Sequence, residues 1–292
     1  MNPVYLLVTI SAFFWGANFV LAGPVLSDLP PLWAAALRFL LGAALMLFIA
    51  KSQGEGLWRL ARNHAGVYFL LGLVGIAAFN LFFFHAMQST SADNGALIMA
   101  TNPLLTTLLA ALFLGERANA RHWTALPVAL IGVAVVISHG KLNQLSEMHV
   151  AQGDLLMLAA NLTWALFNIC TRRFMPKDSA VGNTALMMTA GAAILLAAAL
   201  SSGTHFAPPG MKASLALAVM AGGGTVLAYL FWSVGIRQLG AGRTSLFLNL
   251  VPVFAMLVGG AMGNPPTPAQ IGGGLLVLTG VIMALLPAGR RA

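Results

Sequence analysis

An all-α membrane protein of ten transmembrane helices, folded as two inverted five-helix repeats around a central cavity, is the fold class this sequence predicts. Three observations carry the prediction. Of 292 residues, 59% are hydrophobic and 8% charged, against about 25% charged in an ordinary soluble domain. Apolar runs of about 20 residues recur along the whole chain, each long enough as a helix to cross a bilayer core of about 30 Å. Sliding the chain on itself by 149 residues (164 − 15) aligns landmarks without gaps. Trp15 falls on Trp164, Gly42-Ala43-Ala44 on Gly191-Ala192-Ala193, Leu81-Phe82 on Leu230-Phe231, and Pro103 on Pro252.

Breaks at Gly, Pro and charged clusters place the spans over 4–26, 31–50, 66–87, 93–114, 121–139, 153–174, 180–200, 212–236, 243–263 and 267–287. The first carries no basic n-region and its apolar run is too long for a signal peptide, so it is read as a retained helix. The longest loops are expected at 51–65, 139–152 and 201–211. One five-helix repeat then fills 1–140, a linker loop 141–152, and the second repeat 153–292.

Orientation follows from Lys and Arg. With the N-terminus inside, Lys51, Arg59, Arg62, Arg117, Arg121, Arg172, Arg173, Lys177, Arg237, Arg243, Arg290 and Arg291 are cytoplasmic, and only Lys141 and Lys212 lie outside. Both termini are therefore expected in the cytoplasm. The net charge of +8 reflects topology, and no nucleic-acid partner is needed. A repeat of five helices, an odd number, must be inverted in the second half, as in transporters that build a site between inverted halves. The single cysteine, Cys170, excludes a disulfide within the chain.

Polar groups in a span normally face the bundle interior or a wet cavity. Ser11, Trp15 and Asn18 share one face of helix 1, and Asn161, Trp164 and Asn168 recur in helix 6. An asparagine follows each tryptophan, three residues on in helix 1 and four in helix 6. Helix 3 offers Asn80 and Phe84, helix 8 Thr225, Tyr229 and Trp232, helix 4 Asn102, and helix 9 Ser245 and Asn249. Pro103 and Pro252 free carbonyls one turn upstream and are candidate hinges. Helices 5 and 10, poor in polar residues, are expected as scaffold, and the triple-Gly runs at 222–224 and 272–274 as close-packing surfaces.

Arg38 lies about two turns inside helix 2, where a charged side chain costs about 2.5–3.5 kcal/mol on insertion scales. It either holds a substrate carboxylate bidentately or snorkels to the outer interface. All seven acids fall in loops or at helix ends. That weakens a pump for lipophilic cations, which needs a buried carboxylate, and argues against an aspartyl or metal enzyme. His85 lies toward the outer end of its span, where an interfacial role fits better than a proton relay.

The chain resembles the drug/metabolite transporter superfamily, in its EamA-type branch of ten-helix exporters. The resemblance rests on "FWGANFV" at 14–20, "LRFLLGA" at 37–43, "NPLLTTLLAALFLGER" at 102–117, "IGV" at 131–133 and "LTWALFNICTRR" at 162–173. It implies a 5+5 inverted fold in a bacterial inner membrane and export of amino acids, aromatic or broad in range, or of other small metabolites. The second half reads "GGAMGNPP" where the first reads "ALFLGER", so any role of Glu116 is unshared. The expected protein is a monomeric alternating-access exporter of a small-molecule substrate, without cofactor, metal or catalytic residue. Its substrate-binding candidates are Trp15, Asn18, Arg38, Asn80, Phe84, Asn102, Trp164, Asn168, Tyr229, Trp232, Ser245 and Asn249. Efflux of lipophilic cations or other drugs is the alternative.

Overall fold

The computed structural model describes residues 3–86, 89, 98–116, 120–138 and 152–285. Every regular element among the described residues is helical. In chain order these are α1 (Pro3–Asp28), α2 (Pro31–Ser52), α3 (Leu57–Ala86), α4 (Ile98–Leu114), α5 (Ala120–Ile137), α6 (Gln152–Phe174), α7 (Ala180–Ser201), α8 (Met211–Leu239), α9 (Ala241–Ala261) and α10 (Pro268–Leu285). Seven of them, α1 to α3 and α6 to α9, are long and apolar enough to cross a membrane, while the apolar stretches of α4, α5 and α10 are shorter. Most of the expected loop at 139–152, the start of the fourth span, Asp93, Arg117, Lys141, Glu147, Arg290, Arg291 and the side chain of Arg121 lie outside the described residues.

One expectation fails at the second loop. Residues 51–65 are not a long loop, because α3 begins at Leu57. Arg59 and Arg62 are exposed while Leu60, between them, is buried. The charges therefore mark the wet face of a helical turn and not a break in the helix. A kink at His64 (φ −132°, ψ 22°) separates this first piece from the apolar run that follows.

The principal helix pairings are unchanged when each helix is exchanged for the one five places along. α5 packs along α10 and α2 along α7; α1 lies against α8 and α9 just as α6 lies against α3 and α4. The α5–α10 seam depends on absent side chains. A methyl group on Gly132 would come within 2.7 Å of the Gly273 carbonyl, so two glycines let the backbones meet. Of each triple-Gly run only part packs in this way, since a Cβ at Gly222 or Gly272 would meet open space.

The departures from α-helix also recur in register. Leu73–Ala78 in α3 and Met220–Leu227 in α8 are π-helical, a widening that frees carbonyls from the regular ladder. In α9 a 3₁₀ turn over Leu246–Asn249 precedes Pro252, and in α4 a turn at Thr101 precedes Pro103. Each proline thus sits in the first turn after a break, where its missing N–H costs least.

Candidate functional site

Six rings from four helices, α1, α3, α6 and α8, meet at the middle of the bundle. Trp15 lies 5.2 Å from its repeat counterpart Trp164, edge to face, 5.8 Å from Tyr229 and 4.8 Å from Trp232. Trp164 also meets Phe167 and Phe79, each at 5.2 Å, and Tyr229. Such edge-to-face contacts are worth about 0.5–1.5 kcal/mol each beyond burial. In this state the centre is filled by its own aromatics: Trp164, Tyr229, Trp232 and Phe167 are buried, and Trp15 is half-buried. No ring of the cluster comes from α5 or α10.

The π-helical segment of α8 seats Trp15. The Trp15 Nε1–H donates to the Gly224 carbonyl at 2.9 Å, and the Asn18 amide lies so close over Gly224 that a Cβ there would overlap it. The register partner of Gly224 is Gly75 (224 − 149), and it is covered by Phe167, the register partner of Asn18. Here the symmetry breaks. The Gly75 carbonyl is taken by the Tyr229 hydroxyl at 3.3 Å, and the buried Trp164 Nε1–H has no partner.

A string of side chains ties α8 to α6 and α4. Trp232 Nε1–H donates to Asn168 Oδ1 at 2.9 Å, Asn168 Nδ2 to Thr106 Oγ1 at 3.4 Å, and Thr106 Oγ1 to Asn102 Oδ1 at 2.9 Å. Asn102 Nδ2 donates to Asn161, whose own amide donates to Thr101 Oγ1 at 2.9 Å and the Ile98 carbonyl at 2.7 Å. Asn18 and Asn168 are therefore not equivalents: one covers a glycine, the other accepts from an indole. Thr106 and Thr101 escaped the sequence reading because threonine is commonplace in spans.

Arg38 turns inward. Its Nη2 donates to Asn80 Oδ1 at 3.5 Å, its guanidinium stands 4.7 Å from the Phe39 ring centre, and its Nε is buried without a partner. Buried Asn80 donates its own amide back to the Ile76 carbonyl at 2.6 Å. Phe84 joins the cluster only indirectly, edge-on to Phe83, which stacks on Phe79. Ser245 bonds the Gly242 carbonyl at 2.9 Å. Asn249, fully buried in the 3₁₀ turn, has no partner for either end of its amide.

Glu116 acquires a role the sequence did not disclose. It follows Gly115, whose φ of +65° ends α4, and its carboxylate accepts from the N–H groups of Ala241 (3.2 Å) and Gly242 (3.3 Å). An anion at the N-terminus of α9 is favourable. Arg172 Nε lies 3.2 Å from the same carboxylate and its Nη1 donates to the Arg237 carbonyl. Arg173 donates to Phe113 O at 3.1 Å and Arg237 to Lys177 O at 3.2 Å. These bonds latch α4, α6, α8 and α9 at one end of the bundle. At another, Asp28 accepts from the Gly210 N–H at 2.9 Å and Trp33 donates to Thr204 O at 3.1 Å. Among the described residues no three His, Cys, Asp or Glu side chains come together.

The sequence profile of the EamA-like transporter family matches twice, over residues 2–138 and 151–286. The chain is similar to the "Uncharacterized transporter YyaM" of Bacillus subtilis (strain 168), 36% identical over 284 residues that cover 96% of this chain and 93% of that one. It is 26% identical to the "Probable amino-acid metabolite efflux pump" of Escherichia coli (strain K12), over 91% of this chain and 89% of its relative. It is 25% identical to the "Uncharacterized inner membrane transporter YedA" of the same strain, over 86% and 79%. A crystal structure 20% identical in sequence superposes with a TM-score of 0.81, covering 98% of this chain and 97% of the other, and so shares the fold.

Proposed function

We propose that this chain, which belongs to the EamA-like transporter family, exports small amphipathic metabolites, amino acids foremost, by alternating access. Membership makes it a multi-pass membrane transporter and not an enzyme. In the proposed arrangement ten helices cross the bacterial cytoplasmic membrane as two inverted halves, 1–140 and 153–292, joined by 141–152, with both termini cytoplasmic. The protein works as a monomer without a cofactor.

The observation that carries the reading is the contact of Trp15 with Trp164 inside a ring of aromatics and amides drawn from both halves. A solute entering between the halves parts these two rings and packs its apolar side chain among Trp15, Phe84, Trp164, Tyr229 and Trp232. Its polar groups bond the free amides of Asn18 and Asn249, then Asn80, Asn102, Asn168 and Ser245 as their internal bonds exchange. An amide-rich lining suits zwitterions, whose charges several oriented dipoles can meet. The named activity of the Escherichia coli relative supports the same substrate class.

Movement follows from the breaks. α4 and α9 each have a short irregular turn before Pro103 and Pro252, so the halves rock there while the paired α5 and α10 stay as scaffold. The Glu116–Arg172 latch closes the cytoplasmic end in the state described. The test is flux of a labelled amino-acid panel through purified protein in liposomes, with and without a pH gradient. Amino-acid flux supports the reading; flux of quaternary amines with none of any amino acid overturns it.

A further inference from the structure

Arg38 is a permanent positive charge on a membrane-spanning helix, and among the described residues no carboxylate answers it. Among the described residues the one ion pair is Arg172 with Glu116, at the end of the bundle. The Arg38 bond to Asn80 Oδ1, at 3.5 Å, is at the outer limit of hydrogen bonding. Asn80 has no second acceptor to offer and its amide nitrogen is committed to Ile76. The guanidinium therefore keeps donors to spare: Nε is enclosed and unpartnered, and Nη2 holds only the long Asn80 bond. Two adjacent N–H groups of that kind fit the two oxygens of a carboxylate.

A second unfilled donor, on Trp164, borders Tyr229. The Trp164 ring stands 5.7 Å from Tyr229, and its buried Nε1–H is without a partner because Tyr229 occupies the carbonyl that the repeat would assign to it. Tyr229 also meets Phe39, at 5.6 Å, and the Arg38 guanidinium lies over the Phe39 ring. Two spare donors, one of them charged, select an anionic group and repel a cation. The rings around them select an apolar partner for that anion.

We infer that Arg38 anchors the carboxylate of the transported solute, with the Trp164 N–H as second donor, so that the substrates are carboxylates bearing an apolar or aromatic side chain. The inference rests on the export reading and narrows its substrate class. It treats the α-amino group as secondary.

Binding to the full-length protein in lipid nanodiscs tests it, with intrinsic tryptophan fluorescence as the readout. The probes are L-phenylalanine, 3-phenylpropanoate, which lacks the amine, and phenethylamine, which lacks the carboxylate. The wild type is expected to bind both carboxylates at least about thirtyfold more tightly than the amine, the scale of losing one partner of a buried charge pair. Arg38→Gln removes that preference. Asn80→Asp, nearly isosteric, places a carboxylate beside Arg38 and also abolishes it, with thermal stability retained. Trp164→Phe, which trims ring contact for all three probes, weakens both carboxylates severalfold more than it weakens the amine. Amine binding equal to carboxylate binding in the wild type overturns the inference, as does a preference that survives both Arg38→Gln and Asn80→Asp. Amino-acid flux with an intact preference in those variants overturns the anchor alone and leaves export standing. Carboxylate binding lost in both variants, without amino-acid flux in the wild type, keeps the anchor and overturns amino-acid export.

Discussion

The indole N–H of Trp232 on α8 donates to the side-chain oxygen of Asn168 on α6 at 2.9 Å, with both side chains fully buried. The bond joins the aromatic cluster to the amide string that runs on through Thr106 to Asn102. Polar bonds between membrane helices average about 0.6 kcal/mol, but a buried donor left without any acceptor costs about 1–3 kcal/mol. Asn168→Ala orphans both Trp232 Nε1 and one end of the string, so the larger figure applies. Thermal unfolding in detergent should show that loss, and Trp232→Phe with Asn168→Ala should cost less than the sum of the two. Strict additivity would mean that the two side chains are energetically independent.

Gly224 is expected to tolerate no side chain while Asn18 is present. Gly224→Ala pushes the new methyl into the Asn18 amide and shifts Trp15 off the carbonyl it bonds. Transport should fall at least about tenfold, the scale of a 1–3 kcal/mol overpacking cost. Adding Asn18→Gly clears the space and should restore part of the flux, the remainder being the share of the Asn18 amide in binding substrate. If the double variant is as impaired as the single, the close approach of α1 to α8 is not what limits the protein.

At the latch, the Arg172–Glu116 pair alone is weak, because the side chains are 37% and 24% exposed and such pairs give about 1 kcal/mol or less. The two N-cap bonds to α9 add about 0.5–2 kcal/mol. Glu116→Gln should therefore open this end about five- to thirtyfold more often, in line with about 1–2 kcal/mol. The native single thiol reports it: Cys170, half-buried on α6, should be modified faster by a membrane-impermeant maleimide. Gly240→Ala should act the same way, since its φ is +92° and a methyl there would come within 2.9 Å of the Glu116 carboxylate. Unchanged labelling in both variants would remove Glu116 from the gating account.

Much of the fold was legible because membrane crossing imposes length and composition. The 149-residue register pairs Trp15 with Trp164, two rings that meet in the structure, and it also pairs Gly75 with Gly224, although no glycine in so apolar a chain stands out by itself. What the register conveys is position and not partner. Asn80 and Tyr229 occupy equivalent places, yet one reaches Arg38 and the other captures the Gly75 carbonyl, which leaves Trp164 unlike Trp15. The π-helical turns stayed hidden because they carry no compositional mark. Leu57–Arg62 was misread because Arg59 and Arg62 look like loop charges until the burial of Leu60 shows a helix face. The latch was invisible because Glu116 meets residues 125 positions away.

Alternating access is tested most directly by paired distance measurements on spin-labelled protein in nanodiscs, in a Cys170→Ala background. One pair, at Trp58 on α3 and Phe174 on α6, spans the two halves at the latch end, and a second, at Leu26 on α1 and Leu215 on α8, spans them at the opposite end. All four side chains are exposed. With Glu116→Gln, and again on adding L-phenylalanine, the Trp58–Phe174 distance distribution should lengthen while the Leu26–Leu215 distribution shortens. Distances that stay fixed at both ends, or that lengthen together, would contradict halves rocking about the Trp15–Trp164 contact.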